Sequence, residues 1–233
     1  MSQIRAKYQD NRPTMAEWPV RIWNEDEFPE VYKSDALTWM KEDFSSYHFV
    51  YAPKRKSSKT SYEYVFGYGN GEILYLRGTE HGVQKLEVLC EDILSVQTFR
   101  ELLNCEIRIR YGSEQQGKHM VFPYVPSTYY LYDPFLNWLL GLDRGFDPLV
   151  LERKYPRPQK LMDESLVMFN YSLHAYRLGN GFTEYQYRFE KHRPRWTPWK
   201  VKLKEWLEVS MERGIFQLYS FGYITECTYF PKR

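Results

Sequence analysis

Residues 62–77 read YEYVFGYGNGEILYLR, two runs of aromatic and aliphatic residues around a turn dipeptide. Tyr62, Tyr64 and Phe66 occupy alternate positions, which is typical of a β-strand with one packed face. The dipeptide Asn70-Gly71 accepts the positive φ angles of a two-residue type I′ turn. The stretch therefore predicts a β-hairpin, with one strand over about 62–68 and the return strand over 72–77.

The residues on both sides of this hairpin continue the pattern of short runs separated by turns, which is typical of an antiparallel all-β unit. In the run 106–110, Glu and Arg alternate with Ile. Arg108 and Arg110 should therefore share one face, and Ile107 and Ile109 the other. With the hairpin we predict seven strands, at 47–52, 62–68, 72–77, 84–89, 93–99, 105–111 and 118–122.

Two short helices are predicted outside these strands. Residues 33–41 offer Ser34 or Asp35 as an N-cap, followed by apolar residues at helical spacing, so we expect a helix in the N-terminal extension, residues 1–46. After the seventh strand, Asp133 as N-cap, Pro134 at the first helical position and Gly141 at the end frame an apolar helix.

The second half of the chain repeats part of this arrangement. Residues 143–163 are predicted to be a Pro-rich linker, because Pro148, Pro156 and Pro158 remove backbone donors. Beyond them, a pattern match pairs 47–60 with 185–198 and 72–76 with 215–219. Residues 164–233 are therefore predicted to be a partial second copy, with strand-like runs at 183–189, 200–204, 207–211, 215–219 and 223–230.

Residues 47–142 resemble a bacterial pleckstrin-homology-like (PH-like) domain. The resemblance rests on Tyr75-Leu76-Arg77, on the connection from Cys90 to Val96, and on the alternating run 107–110. It implies a mainly β fold, in which an antiparallel seven-stranded sandwich or barrel is capped by a C-terminal helix. The partial second PH-like β unit at 164–233 has too few residues for seven strands and a helix.

Composition and charge limit the classes of function. The chain has 233 residues, 32 Lys and Arg against 30 Asp and Glu, and a formal net charge of +2, so we predict no specific nucleic-acid partner. Its three cysteines have no Cys-x-x-Cys spacing, which argues against a disulfide scaffold and a zinc site. Since neither a signal peptide nor a transmembrane segment is recognisable, the expected location is cytoplasmic.

No motif for catalysis or cofactor binding stands out. Gly67 to Gly71 lacks the spacing of a phosphate-binding loop, and the five histidines stand alone in sequence. No Gly-x-Ser-x-Gly elbow supplies a nucleophile. We therefore predict that the protein is not an enzyme, with no catalytic residues, no metal and no cofactor.

Two basic loops are the candidate binding sites. Most of the aromatic residues, 18% of the chain, fit alternating strand positions, but two tryptophans stand within the second loop. The resemblance implies a role for such loops, because the loop joining the first two strands of pleckstrin-homology domains holds anionic lipid headgroups; bacterial members are not generally phosphoinositide binders. The candidate residues are Lys54, Arg55, Lys56 and Lys59 in the first loop, and Lys191, Arg193, Arg195, Trp196, Trp199 and Lys200 in the second.

The function that these features favour is a noncatalytic interaction module, which binds a protein partner or an anionic surface through the basic loops and sheet edges. Self-association through open sheet edges is a related expectation. Two alternatives remain at this point. One is a small-molecule binder or enzyme that uses an aromatic-lined cavity in the β sandwich, and the other is peripheral membrane-surface binding.

Overall fold

The protein contains two compact units, residues 1–91 and 92–233. The computed structural model describes residues 18–41, 43–55, 62–142, 156, 158–182, 184–193 and 201–232. Most of its regular structure lies in two antiparallel sheets, of five and of seven strands. The predicted mainly β class is therefore confirmed.

The first unit contains the five-stranded sheet, in the spatial order β1-β2-β3-β4-β5. The predicted hairpin is confirmed, since Asn70 and Gly71 have φ angles of 49° and 76° and Gly69 is the register partner of Glu72. The short strand β1 was not predicted. The strands are β1 Val20–Ile22, β2 His48–Ala52, β3 Tyr64–Gly69, β4 Glu72–Thr79 and β5 Gly82–Leu89.

Helix α1 (Glu30–Trp39) provides one side of the core of this unit. Its buried residues Tyr32, Ala36 and Trp39 share a cluster with strand residues that include Phe49 and Leu74. The predicted helix is present, but its predicted N-cap, Ser34 or Asp35, is wrong because both residues lie inside the helix. The buried stripe begins at Tyr32, so the helix has to begin one turn earlier than the capping residues indicated.

The second unit contains the seven-stranded sheet, in the order β8-β7-β6-β12-β11-β10-β9. The predicted faces of β7 are confirmed, because Ile107 and Ile109 are buried whereas Arg108 and Arg110 lie partly exposed on the other face. The strands are β6 Ile93–Glu101, β7 Asn104–Tyr111, β8 Lys118–Tyr124, β9 Gln186–His192, β10 Lys202–Met211, β11 Gly214–Phe221 and β12 Ile224–Pro231.

Residues 202–204 and 207–211, from two runs predicted as separate strands, belong to one strand, β10. Its buried residues fall at positions 205, 207, 209 and 211, so the alternation passes through the predicted gap without a break. No turn residue interrupts the sequence there, and the unbroken period of two accounts for a single strand.

Helix α2 (Tyr129–Leu139) follows β8, but its predicted start at Asp133 is wrong. Asp133 and Pro134 lie inside the helix, and Asp133 Oδ1 accepts a hydrogen bond from Arg177 Nη2 at 2.7 Å. The carboxylate is therefore used in a buried ion pair and not as an N-cap.

Residues 159–178 are helical, which the sequence analysis did not predict. Helices α3 (Gln159–Glu164) and α4 (Leu166–Tyr171) are followed by a 3₁₀ segment, Ser172–Leu178. Leu161 and Met168 are fully buried, so each short helix is anchored by an apolar side chain. Residues 159–163 had been placed at the end of the predicted linker, and residues 143–155 and 157 of that linker lie outside the described residues.

The seven-stranded sheet joins strands that the sequence analysis placed in different domains. Strand β6 pairs with β12, with Val96 opposite Tyr229 and Glu101 opposite Ile224. The division between the two compact units falls between Glu91 and Asp92, inside the predicted PH-like range 47–142. The PH-like identity of this range stays a prediction.

Candidate docking surface at one end of the seven-stranded sheet

Two neighbouring hairpins of the seven-stranded sheet turn at the same end, where β9 also ends and β10 begins. The last residue of β6, Glu101, lies opposite Ile224, the first residue of β12. Phe221, the last residue of β11, lies opposite Lys204 near the start of β10, and Lys202 lies opposite His192 of β9. The β6–β7 turn and the β11–β12 turn therefore lie side by side, and the start of β10 and the end of β9 lie next to them.

Large apolar side chains are exposed at these turns. Leu102 and Leu103 of the β6–β7 turn are 61% and 75% exposed, and Tyr223 of the β11–β12 turn is 74% exposed. Together with Leu203 and Val167 they line an open cleft of about 830 Å³. We call these five residues the turn-end surface. A grouped set of exposed apolar side chains is typical of an interaction site, whereas single exposed ones are common everywhere.

The backbone of Leu102 is in an unfavourable conformation. Its φ angle is 50°, and Asn70 is the other non-glycine with a positive φ in the part of the chain that the structure describes. Two-residue hairpin turns need a positive φ at the first central position, and Asn or Gly ordinarily supplies it. In the β6–β7 turn, the positions between Glu101 and Asn104 are both leucines. The backbone of this turn is therefore strained, and both of its apolar side chains are exposed.

Cations outnumber carboxylates near the turn-end surface, although its cleft is lined by one of each, Arg100 and Glu205. We consider the last two or first two described residues of each strand at this end of the sheet. They include three cations, Arg100, Lys191 and Lys202, and one carboxylate, Glu101. Arg193 follows directly after β9 and is exposed. Further from the turns, Lys204 and Glu190 are register partners on neighbouring strands. The local charge is thus more positive than the near-neutral whole chain.

The structure places part of the second predicted basic loop at this end of the sheet. Lys191 was predicted as a loop residue but lies inside strand β9, and Arg193 follows that strand; both are exposed. The remaining candidates of that loop, Arg195, Trp196, Trp199 and Lys200, lie in the connection from β9 to β10, outside the described residues.

The first predicted basic loop follows β2 in the other unit. Lys54 is exposed and Arg55 is partly buried. Lys56 and Lys59 lie outside the described residues. We therefore propose no binding site at this loop.

Sequence reasoning missed the apolar members of the turn-end surface. The available signal was Leu102-Leu103 at the centre of the connection 100–104 between two predicted strands, in which Asn104 is the one residue that favours a turn. Leucines at a predicted turn are unusual enough to be noted as candidate exposed residues.

An aromatic-lined cavity of about 220 Å³ is present in the second unit. Tyr124, Tyr129, Tyr171 and His174 contribute to its lining, and burial together with the nearby Arg177 lowers the pKa of His174 to about 4. Ligand pockets are usually about 300–1,000 Å³ in volume. The cavity is smaller than that range, which gives little support to the small-molecule alternative.

The buried charge of Arg177, next to this cavity, is paired within the protein through Nη1 and Nη2, while its Nε is buried without a hydrogen-bond partner among the described residues. Arg177 Nη2 donates to Asp133 Oδ1 at 2.7 Å and to the Tyr129 hydroxyl at 3.0 Å, and its Nη1 donates to Asn137 Oδ1. Burial alone would lower the pKa of Arg177, and the neighbouring Tyr129, Tyr229 and Asp133 raise it above its ordinary value. The guanidinium therefore stays charged and ties the 3₁₀ segment to α2.

A second open groove, of about 770 Å³, lies on the outward face of the seven-stranded sheet. Its polar side chains bond to one another: Gln217 Nε2 donates to Glu208 Oε2 at 2.7 Å, and Gln97 Nε2 lies 3.3 Å from Thr228 Oγ1. Mutual pairing of this kind is typical of a solvated sheet face.

The other chemistries considered from the sequence have no cluster to support them. Among the described residues, no group of three or more His, Cys, Asp and Glu side chains is placed to hold a metal ion. Burial raises the pKa of the Cys227 thiol to about 12, so this cysteine is not an activated nucleophile. No helix in the described ranges has the length and apolar character needed to cross a bilayer.

Because comparisons with known proteins found no match, the functional proposal is based on the geometry of the candidate site. No family model matches the sequence, and no curated protein or solved structure matches it either.

Proposed function

We propose that the protein is a noncatalytic interaction module that docks through the turn-end surface. The observation that carries this proposal is the exposure of Leu102, Leu103 and Tyr223 on two adjacent turns. Exposed apolar side chains gain free energy when a partner removes them from water. The flanking cations Arg100 and Lys202 favour a partner surface that is acidic or anionic.

The strain at Leu102 supports a binding role over a purely structural one. An exposed leucine with a φ angle of 50° contributes little to the core and strains the turn. A residue of this kind lowers the stability of the free protein, and burial of its side chain in a complex would offset that loss.

The proposal includes a PH-like arrangement for residues 47–142. Four antiparallel strands, β2–β5, precede three antiparallel strands, β6–β8, and helix α2 follows them. This order of elements is the one that the resemblance implies, and it supports the assignment of the range to that fold; the binding role is argued from the turn-end surface, because a fold alone does not imply a function.

The docking role can be tested by fractionation of cells that produce the full chain. We compare the parent with Leu102→Asn/Leu103→Asn, and with a control, Val31→Gln/Leu89→Gln, which changes two exposed apolar residues of the other unit. We expect the parent and the control to sediment with a larger assembly or with membranes, and the turn variant to be mostly free. If the turn variant sediments like the parent, the proposed docking surface is wrong.

A further inference from the structure

Three residues of the turn-end surface, Leu102, Leu103 and Tyr223, lie on two adjacent turns, β6–β7 and β11–β12. Leu103 and Tyr223, the most exposed of its residues, lie at the turns themselves. We propose that the partner of this surface is an anionic lipid bilayer, into whose interfacial region Leu102, Leu103 and Tyr223 insert. This inference rests on the proposed docking function and specifies its partner.

The chemistry of the tips is suited to a membrane interface. A bilayer accepts apolar side chains of any shape to a depth of several ångströms, whereas a protein partner would need a socket for each tip. Leucine transfers favourably from water to the acyl region, and tyrosine is enriched at the headgroup level, where its ring and its hydroxyl meet different environments.

The charges around the tips favour anionic over neutral lipid. Arg100, Lys191 and Lys202 lie at the same end of the sheet as the leucines, with Glu101 at that end and Glu205 in the cleft as the opposing charges. Each cation close to an anionic membrane adds an attraction that falls off within a Debye length. Because the formal net charge of the chain is only +2, this attraction depends on the local cluster and not on the field of the whole protein.

Insertion also accounts for two leucines in a strained turn. Side chains that must reach a bilayer have to stand at the tip of a hairpin, where the backbone needs a positive φ. Leu102 meets both conditions at once, with its φ of 50° and its exposed side chain. A turn optimised only for folding would place Asn or Gly at this position.

The test is cosedimentation of the purified full chain with phosphatidylcholine vesicles, with and without phosphatidylglycerol. We expect binding to the mixed vesicles and little binding to phosphatidylcholine alone. Leu102→Asn/Leu103→Asn should weaken binding to the mixed vesicles at least tenfold, because both leucines lose their favourable transfer free energy into the bilayer. The control Val31→Gln/Leu89→Gln should bind like the parent.

A charge variant distinguishes insertion of the apolar side chains from purely electrostatic adsorption to the lipid headgroups. Lys202→Glu should weaken binding roughly tenfold and reduce its salt dependence, because it reverses one cation at the surface. Lys118→Glu is the matched control, since Lys118 pairs with Tyr111 at the opposite end of the sheet and should leave binding unchanged. Sensitivity to Lys202 without sensitivity to the two leucines would overturn insertion.

The two proposals fail in different ways. If the purified chain ignores mixed vesicles while fractionation in cells still depends on Leu102 and Leu103, the partner is a protein; the bilayer inference is then wrong and the docking function stands. If neither measurement depends on these leucines, both proposals are wrong. Folding of every variant is verified by urea unfolding, so a loss of binding cannot be confused with a loss of structure.

Discussion

At the scale of single residues, Leu102 is an expected source of instability. A non-glycine residue at a positive φ costs about 1–2 kcal/mol, and Asn tolerates this conformation better than Leu. We expect Leu102→Asn to raise the free energy of unfolding by about 1 kcal/mol. Urea unfolding of the purified chain measures this change.

The same chain offers a reciprocal control. Asn70 has nearly the same φ angle, 49° against 50° for Leu102. Asn70→Leu should therefore lower the free energy of unfolding by about 1 kcal/mol, while Leu103→Asn, at a position without a positive φ, should change it little. If Leu102→Asn instead lowers the free energy of unfolding, the leucine side chain supports the fold, and the proposed backbone strain at Leu102 is wrong.

The two turns also show what a sequence can predict at this scale. Asn70-Gly71 was predicted correctly because the residues themselves prefer the backbone conformation that the turn requires. The angle at Leu102 is imposed from outside, by the pairing of Glu101 with Asn104 in the β6–β7 hairpin. A residue whose conformation opposes its own preference leaves no ordinary turn signal in the sequence.

At the scale of elements, Arg177 joins the 3₁₀ segment to helix α2 through its ion pair with Asp133. Arg177→Met would leave the Asp133 carboxylate buried without its cation, so we expect a loss of about 3–5 kcal/mol in the free energy of unfolding. Arg177→Met/Asp133→Leu, which removes both charges, should recover a large part of that loss. Both changes are measured by urea unfolding, and a double variant no more stable than Arg177→Met would contradict this account.

The same ion pair explains why the start of α2 could not be predicted from local sequence. Asp133 followed by Pro134 is a good N-terminal pattern, and its partner Arg177 is 44 residues away. Helices α3 and α4 were missed for a related reason. Each has six residues, too few for a helical period to be recognised, and each depends on one buried side chain, Leu161 or Met168.

At the scale of the whole molecule, the turn-end surface is assembled by long-range strand pairing. Strand β12 brings Tyr223 beside the β6–β7 turn, although more than a hundred residues separate Leu103 from Tyr223. The sequence analysis identified the cations of the second basic loop because charge and loop position are local properties. It could not place the leucines beside them, because the pairing of β6 with β12 depends on the whole sheet.

The edges of the sheets also determine how whole molecules meet. Among the described residues, the edge strands are β1, β5, β8 and β9. Strand β1 has three residues, β5 carries Lys85 and Glu87, β8 contains Pro123, and β9 carries Arg188 and Glu190. Features of these kinds protect an edge from further pairing. The sequence analysis raised self-association through open edges, and this protection leads us to expect a monomer in solution.

Strand β9 allows that expectation to be tested without a change in net charge. Arg188→Thr/Glu190→Thr removes one cation and one anion and introduces residues that favour β structure, so we expect concentration-dependent dimers or larger species. The matched control, Arg108→Thr/Glu106→Thr, makes the same exchange on β7, an interior strand paired on both sides, and should remain monomeric. Sedimentation velocity over a range of concentrations measures all three proteins. A parent chain that itself dimerises, or a β9 variant that stays monomeric, would show that these charges do not protect the edge.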